Sequence, residues 1–182
     1  MNGPTLAERV VAIENSLSRV PHAFGGALAL AYYAEPRATI DIDLNLFIPA
    51  DRFGEVADPL HALGAASKDP ALTAVVMRDG QGRVMWDNTP IDLFFAYDPF
   101  HDAAGAARRV VPFADKTINI LAPEHLVVCK VVFNRPRDWV DIDAMLADGT
   151  EIELPEVFRW VVRLLGDEDP RFNRVVSVLT RR

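Results

Sequence analysis

The sequence predicts an α+β fold: a mixed β-sheet flanked by helices, followed by a helical C-terminal part. Three observations lead there. "TIDIDLNLFI" (39–48) alternates apolar and polar residues at period two and is rich in β-formers. Short strand-like runs separated by turn residues follow it. After "APE" (122–124) the pattern becomes helical and stays so.

The elements follow in order. "TLAERVVAIENSLSRV" predicts a first helix, with Thr5 as N-cap and Glu8 three residues later, a capping-box pattern. Residues 26–35 predict a second helix, stopped by Pro36, and 39–48 the surest strand. "DRFGEVADPLHALG" predicts a helix closed by Gly64 despite Pro59. "LTAVVMRD", "RVMW" and "IDLFFAY" predict successive strands, joined through "GQG" and "DNTP" turns. "RRVVPF" and "KTINIL" predict two more around Ala114-Asp115. Helices are expected over 123–134, about 137–147, 155–165 and 170–180. The chain thus divides into an α/β core, 1–122, and a helical part, 123–182. No flexible linker marks the seam near Ala122-Pro123, so the two parts are expected to pack together.

Composition narrows the classes. The chain has 182 residues, half of them hydrophobic and a quarter charged, the balance of a soluble globular protein able to bury a core without covalent staples. A single cysteine, Cys129, excludes an intramolecular disulfide, and its valine neighbours predict a small core residue. No run reaches the ~18–20 apolar residues of a membrane span. "AFGGALALAYYA" lies between the acids Glu8 and Glu14 and the following "DIDL", unlike a signal peptide. A cytoplasmic protein without a membrane partner is expected.

The net charge of −7 argues against nucleic-acid binding as a bulk property. Its distribution is uneven. Residues 1–102 hold 7 Lys/Arg against 14 Asp/Glu, whereas residues 103–182 hold 12 against 12. Arginines gather at Arg108/Arg109, Arg135/Arg137 and Arg159/Arg163, and at Arg171, Arg174, Arg181 and Arg182. They make either a solvated helical surface with local ion pairs or a patch for an anionic partner.

Candidate chemistry centres on "DID". In a strand, residues i and i+2 share a face ~6.6 Å apart, so Asp41, Asp43 and Asn45 project one way and Ile40, Ile42, Leu44 and Leu46 into the core. Such a pair is either a polar solvent face or a gathering point for hard cations such as Mg²⁺. Asp92, between Ile91 and Leu93-Phe94-Phe95, is either an edge-strand acid near a turn or a third member of that site. Gly25-Gly26 is either a turn or a place where phosphate approaches backbone at a helix start. Glycines followed by D-x-D suit a nucleoside triphosphate with its metal. Lys130, the lone polar residue of "LVVCKVVF", either snorkels to solvent or faces a polar cavity that a triphosphate suits. In "NRPRDWVDIDAML", Asp138 either complements a helix dipole or takes part in catalysis. Arg135 and Arg137 bind phosphate or pair with Asp141 and Asp143. The four histidines show no metal-ligand spacing.

Gly25-Gly26, a short helix, then Asp41-x-Asp43 resembles the signature of the DNA polymerase β-like nucleotidyltransferase superfamily. Arg37 and Thr39 just before the acids, with Lys130, Arg137, Asp138 and Asp141 in "KVVFNRPRDWVDI", resemble the AbiEii/AbiGii-type toxin group that includes the MenT toxins. The resemblance covers roughly residues 22–147. It implies a nucleotidyltransferase fold and transfer of a nucleoside monophosphate from an NTP to an acceptor hydroxyl, dependent on Mg²⁺ or Mn²⁺. It makes Asp41, Asp43 and Asp92 the metal-binding and catalytic acids. Gly25, Gly26, Arg37, Thr39, Lys130 and Arg137 would serve the nucleotide, with Lys130 also catalytic and Asp138 and Asp141 supporting them. It implies the 3′ end of tRNA as acceptor and a cognate antitoxin as partner. Thr39, two residues before Asp41, suggests a phosphorylation point for a partner kinase. Two alternatives remain: an aminoglycoside-like small-molecule acceptor, or a non-catalytic antitoxin or binding module.

Overall fold

A computed structural model describes residues 3–181 and resolves them into two compact units. The first runs up to Leu28 and resumes over Ala38–Leu121; the second comprises Ala29–Arg37 and Ala122–Arg182. The short segment 29–37 thus belongs with the C-terminal helices although it lies early in the chain. Arg182 lies outside the described residues.

The first unit holds a six-stranded mixed sheet. Its strands are β1 (His22–Phe24), β2 (Ile42–Pro49), β3 (Gln81–Trp86), β4 (Thr89–Ala96), β5 (Arg109–Phe113) and β6 (Lys116–Ile120), in the spatial order β3-β4-β2-β1-β6-β5. β1 runs antiparallel to β2 and parallel to β6, β2 runs parallel to β4, and the hairpins β3–β4 and β5–β6 close the two edges. β4 shows why the register is firm. Ile91, Leu93 and Phe95 are at most 1% exposed, while the alternate residues stay half-open, so a one-residue slip would expose the whole apolar row.

Helices α1 (Leu6–Ser16), α2 (Gly26–Leu30), α3 (Gly54–Ala62), α4 (Pro70–Asp79) and α5 (Pro99–Ala107) accompany the sheet. Thr5 and Glu8 form the expected capping box on α1. Three expectations change. Residues 72–79 are helical, not a strand: Asp69 caps α4, Pro70 stands in its first turn, and Gly80 (φ 66°) ends it in the left-handed region. These end signals outweigh the β-preference of its valines. α5, an element without a sequence expectation, starts from Asp98-Pro99 with a capping box to His101. α2 is shorter than expected, giving way to a turn after Leu30.

The second unit stacks α6 (Pro123–Phe133), α7 (Pro136–Ala147), α8 (Leu154–Leu165) and α9 (Pro170–Leu179), close to the expected spans. Its core includes Leu126, Val127, Val131, Ile142, Met145, Val157, Val161 and Val175, each at most 1% exposed. Cys129 is half-buried rather than enclosed. Among the described residues no helix is long and apolar enough to cross a membrane.

Candidate active site

In the first unit, the glycine pair and the acids meet through β1 and β2. Gly25 follows β1 directly, and its N–H donates to the Asp43 carbonyl at 2.9 Å. A Cβ on Gly25 would lie 2.6 Å from Asn45 Nδ2. On Gly26, held at φ +52°, a Cβ would lie 1.8 Å from Asp43 Oδ2. Both positions therefore need glycine because β2's own side chains fill the space, and Gly26 also for its left-handed backbone. The consequence is that the Asp43 carboxylate sits against the backbone where α2 begins.

The acids are organised across strands. Asp43 on β2 stands in register with Asp92 on β4, and Asp92 in register with Arg83 on β3. Side chains at paired positions share a face, so Asp43, Asp92 and Arg83 make one row over three neighbouring strands. Arg83 donates to both Asp92 oxygens, Nε to Oδ1 at 2.6 Å and Nη2 to Oδ2 at 2.7 Å. The hydrogen bonds from Asp92, then its charge and those of Asp41 and Asp43, raise the Arg83 guanidinium above its ordinary range. Three carboxylates thus act on one cation. Sequence reasoning passed over Arg83, although a signal existed. The two-residue "DN" turn pairs Trp86 with Thr89 and hence Arg83 with Asp92.

Asp41 departs from the expected geometry. The strand begins at Ile42, so Asp41 precedes it, and Ile40 is 67% exposed rather than in the core. The cause is Thr39. Its hydroxyl accepts from the Asp41 N–H (3.1 Å) and lies 3.3 Å from the Asp41 carbonyl, turning the chain just before the sheet. Ile42, Leu44 and Leu46 are fully buried as expected.

Among the described residues, no three His, Cys, Asp or Glu side chains close around a single point as metal ligands. The donor chemistry nonetheless fits a hard dication. Asp43 and Asp92 are aligned carboxylates on one half-open face, Asp41 adds to the same field, and the cation they attract in this structure is a guanidinium.

The second unit has its own charged centre. Asp141, 4% exposed, accepts from Lys130 Nζ at 2.6 Å and from Arg37 Nε and Nη2, both at 3.1 Å. Burial pushes the Asp141 carboxyl up, but these hydrogen bonds and charges outweigh it and hold the group below the usual carboxylate range. Lys130 is itself 5% exposed. It neither snorkels nor stands alone, because a buried carboxylate answers it. Asp138 accepts from the Arg135 backbone N–H (2.9 Å) and its guanidinium, capping α7. Arg137 is exposed. Several clustered arginines are engaged within the second unit: Arg159 with Glu156 and Arg171 with Asp169 close by in sequence, Arg181 with Asp143, and Arg174 over the Trp139 ring from another helix.

The solution structure of the antibiotic-resistance factor ANT(2'')-Ia matches over 95% of this chain and 94% of its own, at 15% identity and a TM-score of 0.61. The crystal structure of ANT(2'')-Ia in complex with adenylyl-2''-tobramycin matches over 98% and 99%, at 16% identity and a TM-score of 0.55. Both likenesses show the nucleotidyltransferase fold. No curated protein sequence matches. The model of the nucleotidyl transferase AbiEii toxin family, of type IV toxin–antitoxin systems, matches residues 10–178. The chain belongs to that family and is a nucleotidyltransferase.

Proposed function

We propose that the protein is a toxin that transfers a nucleoside monophosphate from an NTP to the 3′ end of tRNA, using Mg²⁺ or Mn²⁺, and so blocks translation. The carrying observation is the in-register pair Asp43–Asp92 with Gly26 packed on the Asp43 carboxylate. Asp41, Asp43 and Asp92 would hold the divalent cation. When bound, that ion neutralises developing charge on the transferring phosphoryl group and the departing pyrophosphate.

The chain's own groups supply the rest. Gly25 and Gly26 leave room at the start of α2 for the side chains of Asn45 and Asp43. Thr39 fastens Asp41. Asp92 is the acid suited to accept the acceptor hydroxyl's proton. Arg37, Lys130 and Arg137 serve the triphosphate's negative charge in this reading, with Asp141 orienting the first two and Asp138 holding the start of α7. Lys130→Ala should then raise the KM for NTP and lower kcat, whereas a purely structural Lys130 would affect stability alone.

The family implies a cognate antitoxin. A kinase partner acting at Thr39 is part of this reading, because a phosphate there would remove the hydroxyl's donated contact to the Asp41 carbonyl and add about −1.5 to −2 charges beside the acids. Thr39→Glu should be nearly inactive; a fully active variant would remove this control point. A small cationic acceptor of the aminoglycoside type is the second reading, favoured by the 14 acids against 7 bases in residues 1–102. Incubation with each labelled NTP, Mg²⁺ and total tRNA, resolved on a denaturing gel, decides between them. Label on tRNA supports the first reading; label only on added aminoglycoside supports the second.

A further inference from the structure

Arg83 belongs to no role assigned so far, yet it is the group most closely joined to the acids of the first unit. The β3–β4 hairpin sets it directly opposite Asp92. Its two parallel hydrogen bonds engage both Asp92 oxygens at once, at 2.6 and 2.7 Å. The Arg83 side chain is 58% exposed while that of Asp92 is 20% exposed. The guanidinium is therefore on the solvent side of the pair, on an edge strand, and can swing away without unpacking the core. The bidentate geometry strengthens the pair, while solvent screening on the Arg83 side keeps it exchangeable. Asp41 and Asp43 attract the same guanidinium.

We infer that Arg83 is a positioning residue: it serves Asp92 as an internal counter-ion and competes with a divalent cation for that carboxylate. Asp92 becomes a ligand only as Arg83 lets go, so Asp41 and Asp43 act ahead of it. The pair keeps three neighbouring carboxylates from repelling one another in the resting protein and sets a threshold for loading the site. This inference rests on the divalent-cation reading above.

The test is a Mn²⁺ titration of the full chain without nucleotide, following free Mn²⁺ by electron paramagnetic resonance. Removing a full positive charge at hydrogen-bond distance from Asp92 should tighten Mn²⁺ binding about fivefold in Arg83→Gln. Arg83→Met, uncharged and of similar length, repeats the measurement on a second side chain. Arg83→Lys should return to near the wild-type affinity, which a merely structural role would not predict. The gain should vanish in the Asp92→Asn background. Equal affinity for wild type and Arg83→Gln overturns the counter-ion role and leaves the metal reading standing. A gain that persists without the Asp92 carboxylate also overturns it. If neither protein binds Mn²⁺, the metal reading fails and the inference with it.

Discussion

Two of the carboxylate–cation centres among the described residues are similar in composition and differ in surroundings. In the first unit Arg83 meets Asp92 on a half-open sheet face, and in the second Lys130 and Arg37 meet Asp141 among packed helices. The Arg83 side chain is 58% exposed, whereas Lys130 and Asp141 are 5% and 4% exposed. Burial changes what such a pair can do. A solvent-screened pair adds modest stability and exchanges partners more readily, which suits the cation site proposed here. A buried pair is costly to break, because the group left behind is an uncompensated charge. Chemistry is accordingly expected at Asp92 and structural dependence at Asp141.

The largest expected effect is on activity in the first unit. Asp43→Asn should lower nucleotide transfer by at least about 10²–10³-fold, since it removes a carboxylate from the proposed ligand set of the divalent cation. The thermal midpoint of the metal-free protein should hold or rise slightly as repulsion with Asp92 is relieved. Full activity in the purified variant would remove Asp43 from the site.

Asp141→Ala should act first on stability, costing about 3–5 kcal/mol in a urea titration by leaving Lys130 buried and unpaired, and on transfer only through the lost orientation of Lys130 and Arg37. A pH series sharpens the contrast. The Asp141 carboxyl is held below its ordinary range in the folded protein. Its contribution is therefore fully present above the unfolded value of about 3.9 and is lost as pH falls through the folded value. Asp141→Asn should flatten that acid limb; an unchanged limb would contradict the assignment.

Gly26→Ala should combine both kinds of effect. A left-handed backbone costs a residue with a Cβ about 1–2 kcal/mol, and the new methyl would meet Asp43 Oδ2. Calorimetry should show a lower midpoint, and transfer assays a loss beyond that explained by unfolding. The smallest effect is expected from Thr39→Val, which removes the hydroxyl's contacts to the Asp41 backbone. About 1 kcal/mol, or roughly a fivefold lower rate, is expected. A complete loss would make the hydroxyl part of the catalytic apparatus.

Much of this was legible in one dimension because it depends on local periodicity and end signals. Ile42, Leu44 and Leu46 alternate with Asp43, Thr5 and Glu8 form a capping box, and the four C-terminal helices announce themselves by period and by proline at their starts. The glycine pair lies ahead of Asp41 and Asp43 in the sequence, and the fold packs Gly26 on the Asp43 carboxylate. α4 shows where local reading fails, since its valines favour a strand while Asp69, Pro70 and Gly80 dictate a helix. β1, only three residues long, carries too little pattern to register.

What the sequence by itself determined was most of the elements, α4, α5 and β1 excepted, and the identity of the acids, because backbone preference and apolar alternation act over a few neighbouring residues. Only the tertiary structure decided how these acids are partnered. Asp43 meets Asp92 through the parallel pairing of β2 with β4, two strands separated by about forty residues. Lys130 meets Asp141, and Arg37 reaches the same carboxylate from 104 residues away. Thr39 shows the same limit at short range: its spacing before Asp41 was plain, but its hydroxyl turns the chain and leaves Ile40 in solvent. A charge's partner depends on where the folded chain returns, and that is set by packing rather than by the residues beside it.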